Sequence, residues 1–150
     1  MIRLLIQRVD SSSLSVNFKD LGKIKKGYLV FLGIMDNEPT DSEIEWCVSK
    51  ILNLRIMVDE DGKINMGLVA GNGIMIIPNF TLGGELKKGT RPSFQRAFNS
   101  SKSRQLFDKI CKQVQTQSEE SGLDFVKGIF GADMTIKSEA VGPVNLIIDK

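Results

Sequence analysis

The sequence predicts a layered α/β domain in which a mixed β-sheet carries two main helices on one face. Three observations lead there. Short apolar runs bounded by turn residues recur along the chain and outnumber the helical patterns. Two segments, one after Thr40 and one after Ser100, keep apolar residues at helical spacing. The run at 28–34 is apolar without a break, as in a central strand covered on both faces. No repeat, linker or low-complexity stretch divides the 150 residues, a length that fits one domain.

In chain order, residues 2–9 are rich in branched apolar side chains and read as a strand. Residues 11–18 alternate Ser12, Leu14, Val16 and Phe18 with polar neighbours, giving a second, half-exposed strand. Asp20-Leu21-Gly22 turns the chain into the central strand. Thr40 with Glu43 three residues on forms a capping box, followed by Ile44, Cys47, Val48, Ile51 and Leu52 on one helix face, ending near Asn53–Leu54. A short strand is expected at 55–58, then a tight hairpin turn at Asp59-Glu60-Asp61-Gly62. The strand at 73–77 delivers Pro78 to Leu82. Residues 83–92 read as a loop, and 94–98 as a turn of helix. The second helix starts at Ser100 or Ser101, buries Leu106, Phe107, Ile110, Cys111 and Val114, and stops at Ser121-Gly122. Strands at 124–129, 134–138 and 144–148 close the chain.

Composition removes whole classes of chemistry. There is no histidine, which excludes Ser-His-Asp and Cys-His catalysis and nearly all zinc-hydrolase sites. Any reaction must use hydroxyls, carboxylates, backbone donors or groups of the substrate. Cys47 and Cys111 lie inside helical patterns without metal-ligand spacing and read as buried thiols of a reducing compartment. Charge at Arg3 and Arg8 breaks the first apolar stretch, so no secretory signal is expected there. The longest apolar run, Tyr28 to Met35, is too short to span a bilayer, so the expected location is cytoplasmic, away from membranes.

Charge is unevenly distributed. From Leu86 to Phe107 there are six basic residues (Lys87, Lys88, Arg91, Arg96, Lys102, Arg104) and no acidic one, whereas the rest of the chain has an acidic excess. The block reads either as a docking surface for phosphates or as a solvated, solubilising loop.

Two short stretches are candidates for chemistry. In Ile77-Pro78-Asn79-Phe80-Thr81-Leu82-Gly83-Gly84 a buried strand breaks open at a single hydroxyl and two glycines. Pro78 has no N–H to satisfy, and the amides of Phe80 and Thr81 are placed to donate to a developing oxyanion. Read as structure, Thr81 is an ordinary strand residue. The second stretch is Gly142-Pro143-Val144-Asn145, which is also compatible with a plain turn. Phe130 and Met134, among Gly128, Gly131 and Ala132, suit a wall for an adenine ring or simple core packing.

Seven segments in this order resemble the D-aminoacyl-tRNA deacylase (D-tyrosyl-tRNA(Tyr) deacylase) family: Leu5–Val9, Lys50–Ile56, Asp61–Asn65, Phe80–Leu82, Lys88–Phe94, Gly128–Met134 and Gly142–Val144. The resemblance covers nearly the whole chain. It implies a barrel-like sheet and a cytoplasmic homodimer that hydrolyses the ester joining a D-amino acid to the 3′-terminal adenosine of tRNA, and in many members also clears glycine. It implies no metal or organic cofactor. It places the pocket at the dimer interface, where a Ser-Gln-x-Thr motif of one subunit meets a cis Gly-Pro of the other, whose carbonyls exclude the side chain of an L-amino acid. Carried onto this chain, the substrate-binding set is Pro78, Asn79, Gly142, Pro143, Phe130, Met134 and Arg8, and Phe130 and Met134 flank the terminal adenosine. Lys87, Lys88, Arg91 and Arg96, with Arg104 as a further member, hold the acceptor stem. Independently of the resemblance, the absence of histidine makes Phe80 (through its N–H) and Thr81 the expected catalytic residues: the amides polarise the ester carbonyl, the ribose 2′-hydroxyl activates water, and Thr81 either positions substrate or water or serves as the nucleophile.

This chain departs from the family pattern at Pro78-Asn79, where the family has Ser-Gln, at Asn145 for threonine and at Gly83 for tyrosine. A related animal deacylase group, more tolerant of L-alanine, also carries proline before its amide. Two alternatives therefore stand beside the main expectation: a deacylase of altered specificity for L-alanyl or glycyl esters, and a non-catalytic RNA-binding homologue.

Overall fold

The computed structural model describes residues 1–87 and 89–150. Eight strands and two helices follow in the order β1 (Ile2–Val16), β2 (Lys19–Ile24), β3 (Gly27–Ile34), α1 (Asp41–Asn53), β4 (Met57–Val58), β5 (Ile64–Met66), β6 (Gly73–Pro78), α2 (Ser100–Glu120), β7 (Asp124–Lys127) and β8 (Thr135–Asp149). The main sheet runs β2-β1-β3-β6-β7, with β8 on the other edge of β1. β3, β6 and β7 are parallel to one another and the remaining pairs are antiparallel. β4 and β5 form a separate two-stranded ribbon.

β1 is the spine. The two strands expected at 2–9 and 11–18 are one strand, and those expected at 134–138 and 144–148 are likewise one strand, β8, which pairs with β1 from Arg3 to Ser15. Bulges explain why each looked divided. Ile2, Leu4 and Ile6 face one core, whereas Val9 and Leu14 face another. The register slips between Val9 and Ser11, and one extra residue reverses which side chains point inward.

The first hairpin turns at Asn17-Phe18, with φ of 49° and 64°, and not at Asp20–Gly22. Two central residues at positive φ match the twist of the flanking strands. Gly22 instead takes up a bulge within β2, at φ 142°. There a Cβ would lie 3.0 Å from Val126, and one on Gly73 would lie 2.6 Å from Ile24. β2 thus folds over β6 and β7 and nearly closes the sheet into a barrel filled by Val9, Leu14, Ile24, Leu29, Met75 and Ile77.

Both helices pack on the outer face, over Ile2, Leu4, Ile6, Val30 and Ile76. α1 begins at the expected capping box: the Glu43 amide donates to the Thr40 hydroxyl, and Thr40 N–H donates to the Glu43 carboxylate. The cap of α2 is Asn99, whose side chain accepts from Lys102 N–H at 3.1 Å. Cys47 and Cys111 are buried, and burial pushes each thiol up to about 12. The helical turn expected at 94–98 is a single hydrogen-bonded turn held between the bridges Glu85–Ser93 and Met35–Ala97. Of the strand expected at 55–58 only Met57–Val58 pairs. No helix among the described residues is long and apolar enough to cross a membrane.

Candidate active site

Leu32 of β3 pairs with Pro78, the last residue of β6, and its carbonyl accepts from Asn79 N–H at 2.8 Å. Proline can occupy that final position because it owes no hydrogen bond to the ladder. The chain then enters one turn of 3-10 helix, Phe80–Gly83, in place of the loop expected from Gly83. Gly83 is buried against Met35, where a Cβ would sit 2.9 Å from the methionine side chain. Asn79 caps the turn: its side-chain oxygen accepts from the Thr81 N–H at 3.1 Å and from the Thr81 hydroxyl.

This cap alters the expected donor pair. The Thr81 amide and hydroxyl are both held by Asn79. The Phe80 amide, first in its turn, makes no hydrogen bond among the described residues. One of the two expected backbone donors is therefore free and the other is occupied. The sequence signal was present in Asn79, since an Asx residue two positions before a hydroxyl is a common turn former.

A cavity of about 360 Å³ opens beside this turn. Pro78, Asn79 and Phe80 line one side, and Phe98, Phe107 and Phe130 line much of the rest. Ser100, Ser103 and Phe107 reach it from α2 at helical spacing. The Phe80 ring is 57% exposed and meets Phe94 edge-on at 5.3 Å. Phe130 lies 6.1 Å from Phe107, and the Arg104 guanidinium sits 5.3 Å above its ring. Met134 does not line the cavity; it is half-buried against the inner barrel core, next to Gly128.

Gly142-Pro143 lies elsewhere in the chain. Gln7 pairs with Asn145 and Val9 with Ala140, so residues 141–144 bulge out opposite Arg8 alone. The Gly142–Pro143 peptide bond is cis, and Gly142 has φ 123°. Arg8 lies beneath: a Cβ on Gly142 would be 3.0 Å from its guanidinium. Arg8 is 8% exposed, its Nη1 donates to the Ile56 carbonyl at 3.0 Å, and its Nε has no partner among the described residues. β1 pairs Leu4 with Leu32, next to Pro78, but Arg8 with Tyr28. Four residues along β1, roughly 13 Å, separate the two rows. Within one chain the Pro78–Thr81 turn and the Gly142-Pro143 bulge stand apart.

The basic block is less bare than its sequence suggests. Arg96 makes two bonds to Asp36, at 2.7 and 3.0 Å, and this pairing holds the Asp36 carboxyl below the usual carboxylate range. Lys87 pairs with Glu85 at 3.1 Å and Lys102 with Glu38 at 2.7 Å. Arg91 and Arg104 have no carboxylate partner among the described residues. Lys88 lies outside the described residues. The partners Asp36 and Glu38 come from a distant segment, so a count along the chain could not reveal them.

Residues 5–149 match the D-Tyr-tRNA(Tyr) deacylase family. Proteins named D-aminoacyl-tRNA deacylase from Thermosipho melanesiensis and Aquifex aeolicus are 40% and 42% identical, over 99% of this chain and 97% of theirs. A solved structure titled "c-Myc DNA Unwinding Element Binding Protein" superposes with a TM-score of 0.85 at 30% identity, covering 99% of this chain and 98% of that one. A second, described as a probable eukaryotic D-amino acid tRNA deacylase, shares the fold with a TM-score of 0.80 at 22% identity, covering 99% of each chain.

Proposed function

The chain belongs to the D-Tyr-tRNA(Tyr) deacylase family, and from that premise we propose that it acts as a single-domain D-aminoacyl-tRNA deacylase. It hydrolyses the ester between a D-amino acid, or glycine, and the terminal adenosine of tRNA, freeing both for reuse.

The observation that carries this reading is a cavity walled by Pro78, Asn79, Phe80 and Phe130, with the Phe80 amide left without an acceptor among the described residues. An amide fixed by the surrounding turn needs no reorganisation when charge develops on the carbonyl oxygen, and such a donor contributes on the order of 10²–10³ in rate. The residues that line the cavity include no histidine and no carboxylate, so water activation is assigned to the substrate side, to the ribose 2′-hydroxyl beside the ester. Thr81, held by Asn79, acts as a positioning group. Thr81→Ala should cost less than about tenfold in kcat; a loss beyond about a thousandfold would make its hydroxyl the nucleophile instead.

The separation of the two motifs within one chain supports a homodimer in which Gly142-Pro143 of a second copy reaches the Pro78–Thr81 turn. Ile147 on β8 and Phe80, 70% and 57% exposed, are apolar groups suited to such a contact. Shape at the two backbone carbonyls of that bulge then selects the D-enantiomer, with Arg8 beneath the bulge. Sedimentation should give a dimer, and a monomer of full activity would count against a shared site.

A second reading follows from Pro78-Asn79: the cavity also admits L-alanyl esters. Side-by-side hydrolysis of D-tyrosyl-, glycyl- and L-alanyl-tRNA tests both readings. Binding of tRNA with no turnover of any ester would instead mark a non-catalytic RNA-binding protein.

A further inference from the structure

On α2, Ser100, Ser103 and Phe107 face the cavity, and Arg104 falls on the same stripe at the i+4 position from Ser100. Its guanidinium lies 5.3 Å over the Phe130 ring, and a Cβ on Gly131 would be 3.6 Å from its Nη2. Both Phe130 and Gly131 line the cavity. The neighbouring cations Arg96, Lys102 and Lys109 are neutralised by Asp36, Glu38 and Asp41. Arg104 does not itself line the cavity but lies against two residues that do, Phe130 and Gly131, and it has no carboxylate partner among the described residues. A guanidinium held over a ring face still has N–H groups in its own plane for a phosphate to accept, two of them at once.

We infer that Arg104, held over the Phe130 ring, forms a ledge beside the cavity that binds the 5′-phosphate of the terminal nucleotide, so that the phosphate rather than the base sets how deep the RNA end enters. The inference rests on the reading of the cavity as the site for an RNA 3′ end. Arg104 acts as a positioning residue and touches no reacting atom.

The test titrates the full-length protein with 5′-adenosine monophosphate and with adenosine by calorimetry. The wild type should bind the monophosphate about tenfold more tightly than the nucleoside, the gain expected of a charge-assisted hydrogen bond. Arg104→Ala should abolish that difference, change adenosine affinity by less than about twofold, and lower the slope of log affinity against log salt by about one. Arg104→Lys should restore part of the difference. In turnover of aminoacyl-tRNA, KM should rise in Arg104→Ala while kcat holds. Equal discrimination by wild type and Arg104→Ala, or no monophosphate binding by the wild type, overturns the inference. Arg104-dependent discrimination in a protein that hydrolyses no ester would defeat the enzymatic reading and leave the ledge standing.

Discussion

The Pro78–Thr81 turn and the Gly142-Pro143 bulge are held in place by different means. The first is fixed locally: Asn79 caps its own turn through two bonds to Thr81, and Gly83 tucks against Met35. The second is fixed from below by a buried arginine and from the sides by resumed pairing with β1. A locally capped turn can tolerate altered side chains if the cap is remade. A bulge set by backbone geometry tolerates almost none at Gly142, where a Cβ would meet the Val144 nitrogen at 2.7 Å at a φ that other residues rarely adopt.

The largest effect should therefore come from the bulge. Gly142→Ala is expected to lower kcat/KM for D-aminoacyl-tRNA by about 10²-fold or more, because a displacement of about 1 Å is enough for such a loss. Steady-state hydrolysis measures it, and near-wild-type activity would show that the bulge is not part of the site. Asn79→Ala should slow hydrolysis by about tenfold by loosening the turn, with a stability cost of about 1 kcal/mol typical of a lost cap. A faster enzyme would mean instead that Asn79 withholds the Thr81 amide from the substrate. Arg91→Ala should reduce the salt slope of tRNA binding by about one, and Arg96→Ala by less, because Asp36 already neutralises Arg96. The smallest effect concerns acid. Hydrogen bonds from Arg96 and Arg3 hold Asp36 and Asp149 below their ordinary carboxyl values. Their contribution to stability is present above about pH 4 and fades as pH falls through the lowered values, so Asp36→Asn should flatten the acid limb of a melting-temperature profile.

Features written in adjacent residues were legible in the sequence. The capping box at Thr40, the continuous strand before it, and the stripe Phe107, Ile110, Cys111 and Val114 were each readable from spacing alone. Features that depend on pairing between distant segments were not. The division of β1 and β8 into two strands each followed from reading a bulge as a break. The turn at Asn17-Phe18 was hidden because Phe18 continued the apolar alternation. In the site, Pro78, Asn79, Phe80 and Phe130 meet at one cavity, but Met134 faces the barrel interior. Met134 still lies near the site: a Cβ on Gly128 would touch both its sulfur, at 3.1 Å, and the Pro78 ring, at 2.8 Å.

The pairing of β1 with β8 also has a consequence in time. Within this domain β1 is made before the other strands, and the strand that covers one of its edges, from Arg3 to Ser15, is made after them. Until β8 emerges, that edge offers open backbone groups to any other extended chain. The contact spans almost the full sequence, so closing it should be among the slower steps of folding. The nascent chain is most exposed to misassociation when the helices and inner strands are already made and only the final strand is missing.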